Sequence, residues 1–175
     1  IKLIKSSGVK MIMVTGDSLD TALFISKELN LLNDDDIYLT SSDLSLMSDD
    51  EIKSKINKIK IVARAKPHDK SRLVKIIKEM NLVVGMTGDG INDAAALKKC
   101  DVGFAMGSGT DVAKEASDIV ILDDNINSIS MAILFGRTIF KNIRKFIIFQ
   151  LTMNICAMSL SIIGPFIGIS TPVTV

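Results

Sequence analysis

Leu82-Val83-Val84-Gly85-Met86-Thr87-Gly88-Asp89-Gly90-Ile91-Asn92-Asp93 is the stretch on which the fold turns. Residues 82–86 form a short apolar run of the kind that makes a buried strand. Thr87-Gly88-Asp89-Gly90 ends it, and the two glycines let the backbone turn sharply and approach a ligand closely. Asp89, Asn92 and Asp93 then project two carboxylates and an amide within five residues. The carboxyl edge of an open α/β sheet is where such folds bind ligands. Hard oxygen donors there suit Mg²⁺, which takes one or two carboxylates together with phosphate and water. For this stretch on its own, an acidic surface turn is the alternative.

Outward from it, short apolar runs alternate with helix-period segments, the pattern of an α/β domain with a mostly parallel sheet. Strands are expected over 9–14, 61–65, 102–106 and 118–122, and helices over 18–29, 69–80, 92–99 and 110–117. Residues 33–50, rich in Asp and Ser, are expected to be a solvated loop. It ends at Ser48-Asp49-Asp50-Glu51, a capping box that starts a helix. After Asp123-Asp124-Asn125 the character changes. No proline follows until Pro165, and Gly136 is the only glycine before Gly164, which allows one very long helix.

The first half of that helix carries Arg137, Lys141, Arg144 and Lys145; residues 146–169 are 24 uncharged positions. As a helix they extend roughly 36 Å, enough to cross a hydrocarbon core of about 30 Å. The basic cluster places its end of the span on the cytoplasmic side, so the α/β domain is expected in the cytosol. Gln150, Asn154 and Ser161 share a face of the span, as in a bundle member. An amide in hydrocarbon faces either a partner helix or an ion path.

The formal charge of +1 argues neither for nor against nucleic acid, and the 47% hydrophobic share is concentrated in the last segment. Cys100 and Cys156 match no metal spacing and fit a reducing compartment. Ile1-Lys2-Leu3-Ile4-Lys5 is too short and too charged for a signal peptide. Both ends read as cuts through a longer protein.

Two further segments carry possible chemistry. Thr15-Gly16-Asp17 follows an apolar strand, where a hydroxyl and exposed amides can hold a phosphoryl oxygen; a turn with a helix N-cap explains the tripeptide equally well. Ala63-Arg64-Ala65-Lys66-Pro67-His68-Asp69-Lys70 puts Arg64 at a strand end and Lys70 in the first turn of a helix. A fixed cation there can neutralise a transferring phosphate, or be one more basic loop. His68, the only histidine, reads as a helix-entry residue. Asp69-Lys70 is not a phosphorylation motif, because no Thr-Gly-Thr follows.

Taken together these segments resemble the P-type ATPase branch of the haloacid-dehalogenase-like hydrolases over essentially the whole chain. The resemblance is carried by Val14-Thr15-Gly16-Asp17, by Ala63-Arg64 with Pro67 and Lys70, and by residues 87–98. It continues through 101–107, 109–118, Ile121-Leu122-Asp123-Asp124, Gly136-Arg137 and 149–154. It implies an incomplete haloacid-dehalogenase-like Rossmannoid domain, a parallel sheet with flanking helices, followed by a long stalk and transmembrane helix. The corresponding divisions are the C-terminal part of a phosphorylation domain (1–125), a helical stalk (126–145), the family's fifth membrane helix (146–169) and the start of an extracytoplasmic or lumenal loop (170–175).

The implied activity is ATP-driven cation transport through an aspartyl phosphate, with ATP as substrate and Mg²⁺ as cofactor. Matching positions imply that Asp89 ligands Mg²⁺ and Asp93 shapes that site. Thr15 and Gly16 would hold the phosphoryl group, Lys70 neutralise it, and Asn92 hydrogen-bond it, while Asp17 and Arg64 would place nucleotide or hold the loops. The nucleophile, in an Asp-Lys-Thr-Gly-Thr segment, and the nucleotide-binding domain are expected upstream, so the fragment alone should be inactive. Asn154 matches a cation-ligand position of calcium pumps. Ala157 stands where the two-site calcium pumps and the sodium/potassium pumps carry Glu, which resembles the plasma-membrane calcium pump type. The implied partners are Ca²⁺, the lipid bilayer and the remaining domains of the same pump, and no nucleic acid. The implied location is the plasma membrane or an internal calcium store. The alternatives are a pump for another cation (Na⁺/K⁺, H⁺ or another divalent), a soluble phosphatase of the same superfamily, or a regulatory piece.

Overall fold

The computed structural model describes residues 1–168, with Lys2 described by its backbone alone. Two compact units divide the chain, Ile1–Ser130 and Met131–Val175. The first runs α1 (Lys2–Ser6), β1 (Met13–Val14), α2 (Leu19–Glu28), β2 (Ile37–Thr40), α3 (Ser41–Leu46), α4 (Asp49–Lys55) and β3 (Ile59–Ala63). It continues with α5 (Pro67–Glu79), β4 (Gly85–Gly88), α6 (Ala94–Leu97), β5 (Val102–Met106), α7 (Asp111–Ala116), β6 (Ile119–Ile121) and the opening of α8 (Ile126–Ile163).

The strands form two three-stranded parallel sheets, ordered β1-β3-β2 and β4-β5-β6. Their central strands are the most buried. In β3, Ile59, Ile61, Val62 and Ala63 are all fully buried, as expected of a parallel strand covered on both faces. Helix α5 joins the sheets through its two apolar sides. Leu73 and Ile76 pack with Ile59 and Val62 of the first sheet, and Val74 packs with Val84, Ala96 and Cys100 beside the second.

The expected α/β class forms, with local differences. Residues 33–50 are not a loop throughout: β2 and α3 lie inside them. Ile37-Tyr38-Leu39-Thr40 is too short to show a period, and it becomes a strand by pairing in parallel with β3. Helix α3 is then started by a capping box between Thr40 and Asp43. Of residues 9–14 only Met13 and Val14 pair, against Ile61 and Val62. The strand expected at 82–86 is displaced to Gly85–Gly88. There the Val84 amide donates to the Asp101 carboxylate (2.9 Å) instead of to a neighbouring strand, leaving Val83 84% exposed. The capping box at Ser48 and Glu51 forms as expected.

In the second unit, α8 continues unbroken to Ile163 and gives way to a 3₁₀ turn at Gly164–Ile167. Pro165 cannot donate to an α-helical ladder and restricts the residue before it, so the helix stops short of the expected 169. Phe146, Phe149, Leu151, Met153, Ile155 and Met158 are all more than half exposed around its circumference. Among the described residues one helix, counted from Ile126 to Ile167, is long and apolar enough to cross a membrane, with mean hydropathy 1.9 over its best window. The loop expected at 170–175 lies outside the described residues.

Asp101, in the connection between α6 and β5, links it back to α5. Its carboxylate accepts from the Val84 amide and pairs with Lys78 Nζ at 3.0 Å. The Val84 amide, and after it Lys78, holds this carboxyl below the ordinary carboxylate range. A depressed folded pKa adds stability above the unfolded value of about 3.9 and loses it as pH falls through the folded value. Asp101→Asn should therefore flatten the acid-side loss of stability below about pH 4, as measured by denaturant midpoints across pH.

Candidate functional site

The loops at the carboxyl ends of β1, β3 and β4 are joined by a continuous set of bonds. After β1, Thr15 Oγ1 donates to Asp17 Oδ2 (2.8 Å), and the Asp17 amide donates back to Thr15 Oγ1 (3.2 Å). The same loop is sewn to the one after β3, because the Ala65 amide donates to the Thr15 carbonyl (2.8 Å) and the Arg64 amide to the Asp17 carbonyl (2.9 Å). Arg64 takes φ +51° to do so, a left-handed conformation that costs a non-glycine residue roughly 1–2 kcal/mol. Gly16 and the Asp17 and Arg64 side chains are exposed, and Thr15 is half-buried.

Two residues beyond Ala65, Pro67 opens α5 at its first position and Lys70 follows in the opening turn. Lys70 Nζ lies 2.6 Å from Asp93 Oδ1, and the two side chains are only 17% and 8% exposed. This ion pair brings the first-sheet loops to the acidic turn after β4. Asp93 belongs to a 3₁₀ turn, Ile91–Asp93, whose last amide donates to the Gly90 carbonyl. Gly88 permits the arrangement, since a Cβ there would come within 2.5 Å of Asp93 Cβ. Asp89 and Asn92 are exposed beside it, and the Asp89 carboxylate accepts no hydrogen bond among the described residues.

Asp89 is held by its backbone, from the 109–118 stretch, to which sequence reasoning assigned no site role. The Thr110 amide donates to the Asp89 carbonyl (2.8 Å). A Cβ on Gly109 would lie 3.0 Å from that carbonyl and 3.1 Å from Asp89 Cα. The loop after β5 is itself anchored, the Gly107 amide on the Ile121 carbonyl and the Ser108 amide on Asp124 Oδ1 (3.1 Å). That Ser108 amide keeps the Asp124 carboxyl below the usual range. A second glycine two residues after Gly107, just past a strand, was the available sequence signal.

The donor set fits Mg²⁺ shared with a phosphate. Asp89 offers both carboxylate oxygens and Asp93 the one not paired with Lys70, and one or two carboxylates are what Mg²⁺ takes from a protein. Among the described residues no three His, Cys, Asp or Glu side chains gather as a cage for a metal held by protein alone. A fixed cation, an exposed carboxylate and a loop of amides and hydroxyl, drawn from the carboxyl ends of the two sheets, are suited to gripping a phosphoryl group.

The structure thus links Thr15, Gly16, Asp17, Arg64, Lys70, Asp89, Asn92 and Asp93 through the loops of one unit. Asn154 lies in the other unit, on α8, where Gln150 Nε2 is 3.4 Å from Asn154 Oδ1; Ser161, on the same face, donates to the Ala157 carbonyl.

Two family models match, both described as haloacid dehalogenase-like hydrolase, over residues 1–101 and 71–133. Calcium-transporting ATPase 2 of Schizosaccharomyces pombe is 44% identical over 165 residues, covering 94% of this chain and 13% of that protein. Calcium-transporting ATPase 1 of Lactococcus lactis is 41% identical over 170 residues (97% and 19%). The plasma membrane-type calcium-transporting ATPase 2 of Arabidopsis thaliana is 40% identical over 176 residues (99% and 17%). The chain spans less than a fifth of the length of these curated relatives. Among solved structures, a zinc-transporting PIB-type ATPase in the E2.Pi state superposes with TM-score 0.70 at 26% identity, over 98% of this chain and 23% of that one. The catalytic domain of a CPx-ATPase gives 0.57 at 30% identity, over 75% and 42%.

Gly88→Ala should push Asp93 away from Lys70 and destabilise the domain by about 1–3 kcal/mol. Thermal unfolding of the purified protein measures this, and Ala at the uncrowded Gly136 serves as the control.

Proposed function

We infer that this chain, which belongs to the haloacid dehalogenase-like hydrolases, is part of an ATP-driven P-type cation pump that moves Ca²⁺ across a membrane. The observation that carries the reading is similarity of 40–44% running through the α/β unit and the apolar helix together, to proteins named calcium-transporting ATPases. A soluble phosphatase would account for the first unit and leave α8, apolar on all sides, without a purpose.

In this reading residues 1–125 are the C-terminal part of a phosphorylation domain facing the cytosol. Residues 126–145 are a stalk and 146–169 a membrane span. The nucleophilic aspartate and the nucleotide-binding domain belong to the rest of the full-length pump. Edge strands β1 and β4 are each paired on one side only, and a parallel strand added to either would end beside Thr15 or Asp89.

Each residue then has a physical task. Lys70 presents its ammonium to the transferring phosphoryl oxygens, held in place by Asp93. Thr15 and the amide of Gly16 hold those oxygens from the neighbouring loop, and Asn92 donates its amide to them. Asp17 and Arg64 keep the two loops sewn together at the nucleotide. Asp89, with Asp93 behind it, would hold Mg²⁺, which when bound supplies positive charge to the phosphate. In the span, Asn154 offers a carbonyl oxygen, a suitable Ca²⁺ ligand, and Gln150 orients it. Ala157 supplies no ligand oxygen, which favours a single cation site on this helix. The zinc-transporting neighbour shows that one fold serves different cations, so Ca²⁺ specificity rests on the curated relatives. The membrane is the plasma membrane or an internal calcium store.

Asp89→Ala in the full-length protein should abolish phosphoenzyme formation from γ-labelled ATP; undiminished labelling removes Asp89 from the Mg²⁺ role. Asn154→Ala should raise the Ca²⁺ concentration for half-maximal ATPase activity by about tenfold, the equivalent of ~1.4 kcal/mol, with ATP affinity unchanged. Unaltered Ca²⁺ activation in vesicles would make Asn154 a packing residue.

A further inference from the structure

Asp69 is among the most buried polar side chains of the described residues, at 1% exposure, although it is a carboxylate in the first turn of a helix. Its Oδ2 accepts from the Ser41 hydroxyl (2.7 Å) and the Lys66 amide (2.8 Å), and its Oδ1 lies 3.2 Å from His68 Nε2. These partners come from three places: the start of α3 just past β2, the loop after β3, and α5 itself. An ionised carboxylate is acceptor-only, and its burial is tolerable only with such donors around it.

Capping alone does not require this. Asp43 and Glu51 occupy the same position in the first turns of α3 and α4, close the same bond to the preceding amide, and remain exposed. Asp69 differs in reaching a residue 28 positions away in another element. The next residue is Lys70, whose long flexible side chain must deliver its ammonium to a point 2.6 Å from Asp93. Where that ammonium sits depends on where α5 begins, and Asp69 fixes that start against the ends of both β2 and β3.

We propose that Asp69, with Ser41 as its partner, is a positioning residue for phosphoryl transfer that sets the placement of Lys70. The inference rests on Lys70 acting at the phosphoryl site. Misplacement by about 1 Å can cost a large factor in rate without touching substrate binding.

The test uses the full-length pump with MgATP. Asp69→Ala should lower kcat by about tenfold or more with the KM for ATP held within about twofold, and Asp69→Asn, which keeps one acceptor oxygen, should recover much of it. Independently of turnover, acylation of lysine amines read by peptide mass spectrometry should show Lys70 labelled several times faster in Asp69→Ala than in the parent, with Lys66 unchanged. Ser41→Ala, a milder change, should move both readouts the same way if Asp69→Ala folds poorly. Unchanged Lys70 labelling alongside a lowered thermal midpoint would reduce Asp69 to a helix cap and overturn the proposal. Normal turnover in Lys70→Ala would instead remove Lys70 from the phosphoryl site, and with it the reading on which this inference rests.

Discussion

The ion pair between Lys70 and Asp93 is the constraint around which the first unit is organised. It joins a helix grown from one three-stranded sheet to a turn grown from the other, and both partners are largely withdrawn from water. A pair so placed has already lost most of its hydration, so removing either partner leaves an uncompensated charge. The surroundings are built to keep it. Gly88 leaves the space Asp93 needs, and α5 packs apolar residues against both sheets.

The acidic turn is rigid in its backbone and open in its side chain. Thr110 and Gly109 press on the Asp89 main chain from the loop after β5, while the Asp89 carboxylate remains exposed. That division is what a site for a shared ion needs: an acceptor that is held in position but not already satisfied. On the other side, Thr15 and Asp17 satisfy one another and lend their carbonyls to the loop of Arg64 and Ala65. Arg64 accepts a left-handed backbone as the cost of that stitch. Strain of this kind persists where the neighbouring structure over-determines it, and such places cluster at functional sites.

The second unit follows different rules. A helix with large apolar side chains exposed on all sides has no soluble rationale by itself, and Arg137, Lys141, Arg144 and Lys145 precede its uncharged stretch. The similarity to calcium-transporting ATPases runs through both units, the α/β loops and the apolar helix alike.

The amino-acid sequence by itself determined the α/β class, the long helix and which residues sit in the loops proposed to hold phosphate. Each of these is written locally, in periodicity, glycine placement, capping spacing, or a run without charge. It did not determine β2, since four residues become a strand only when β3 is there to pair with, nor the displacement of β4, which follows from Asp101 capturing the Val84 amide. It gave no sign that Asp69 would be buried on Ser41, or that Gly109 would brace Asp89, because both depend on contacts between elements distant in the chain. Local chemistry selects the side chains; only nonlocal packing decides which of them meet, because a hydrogen bond across 20 or 30 residues has no counterpart in the pattern of its neighbours.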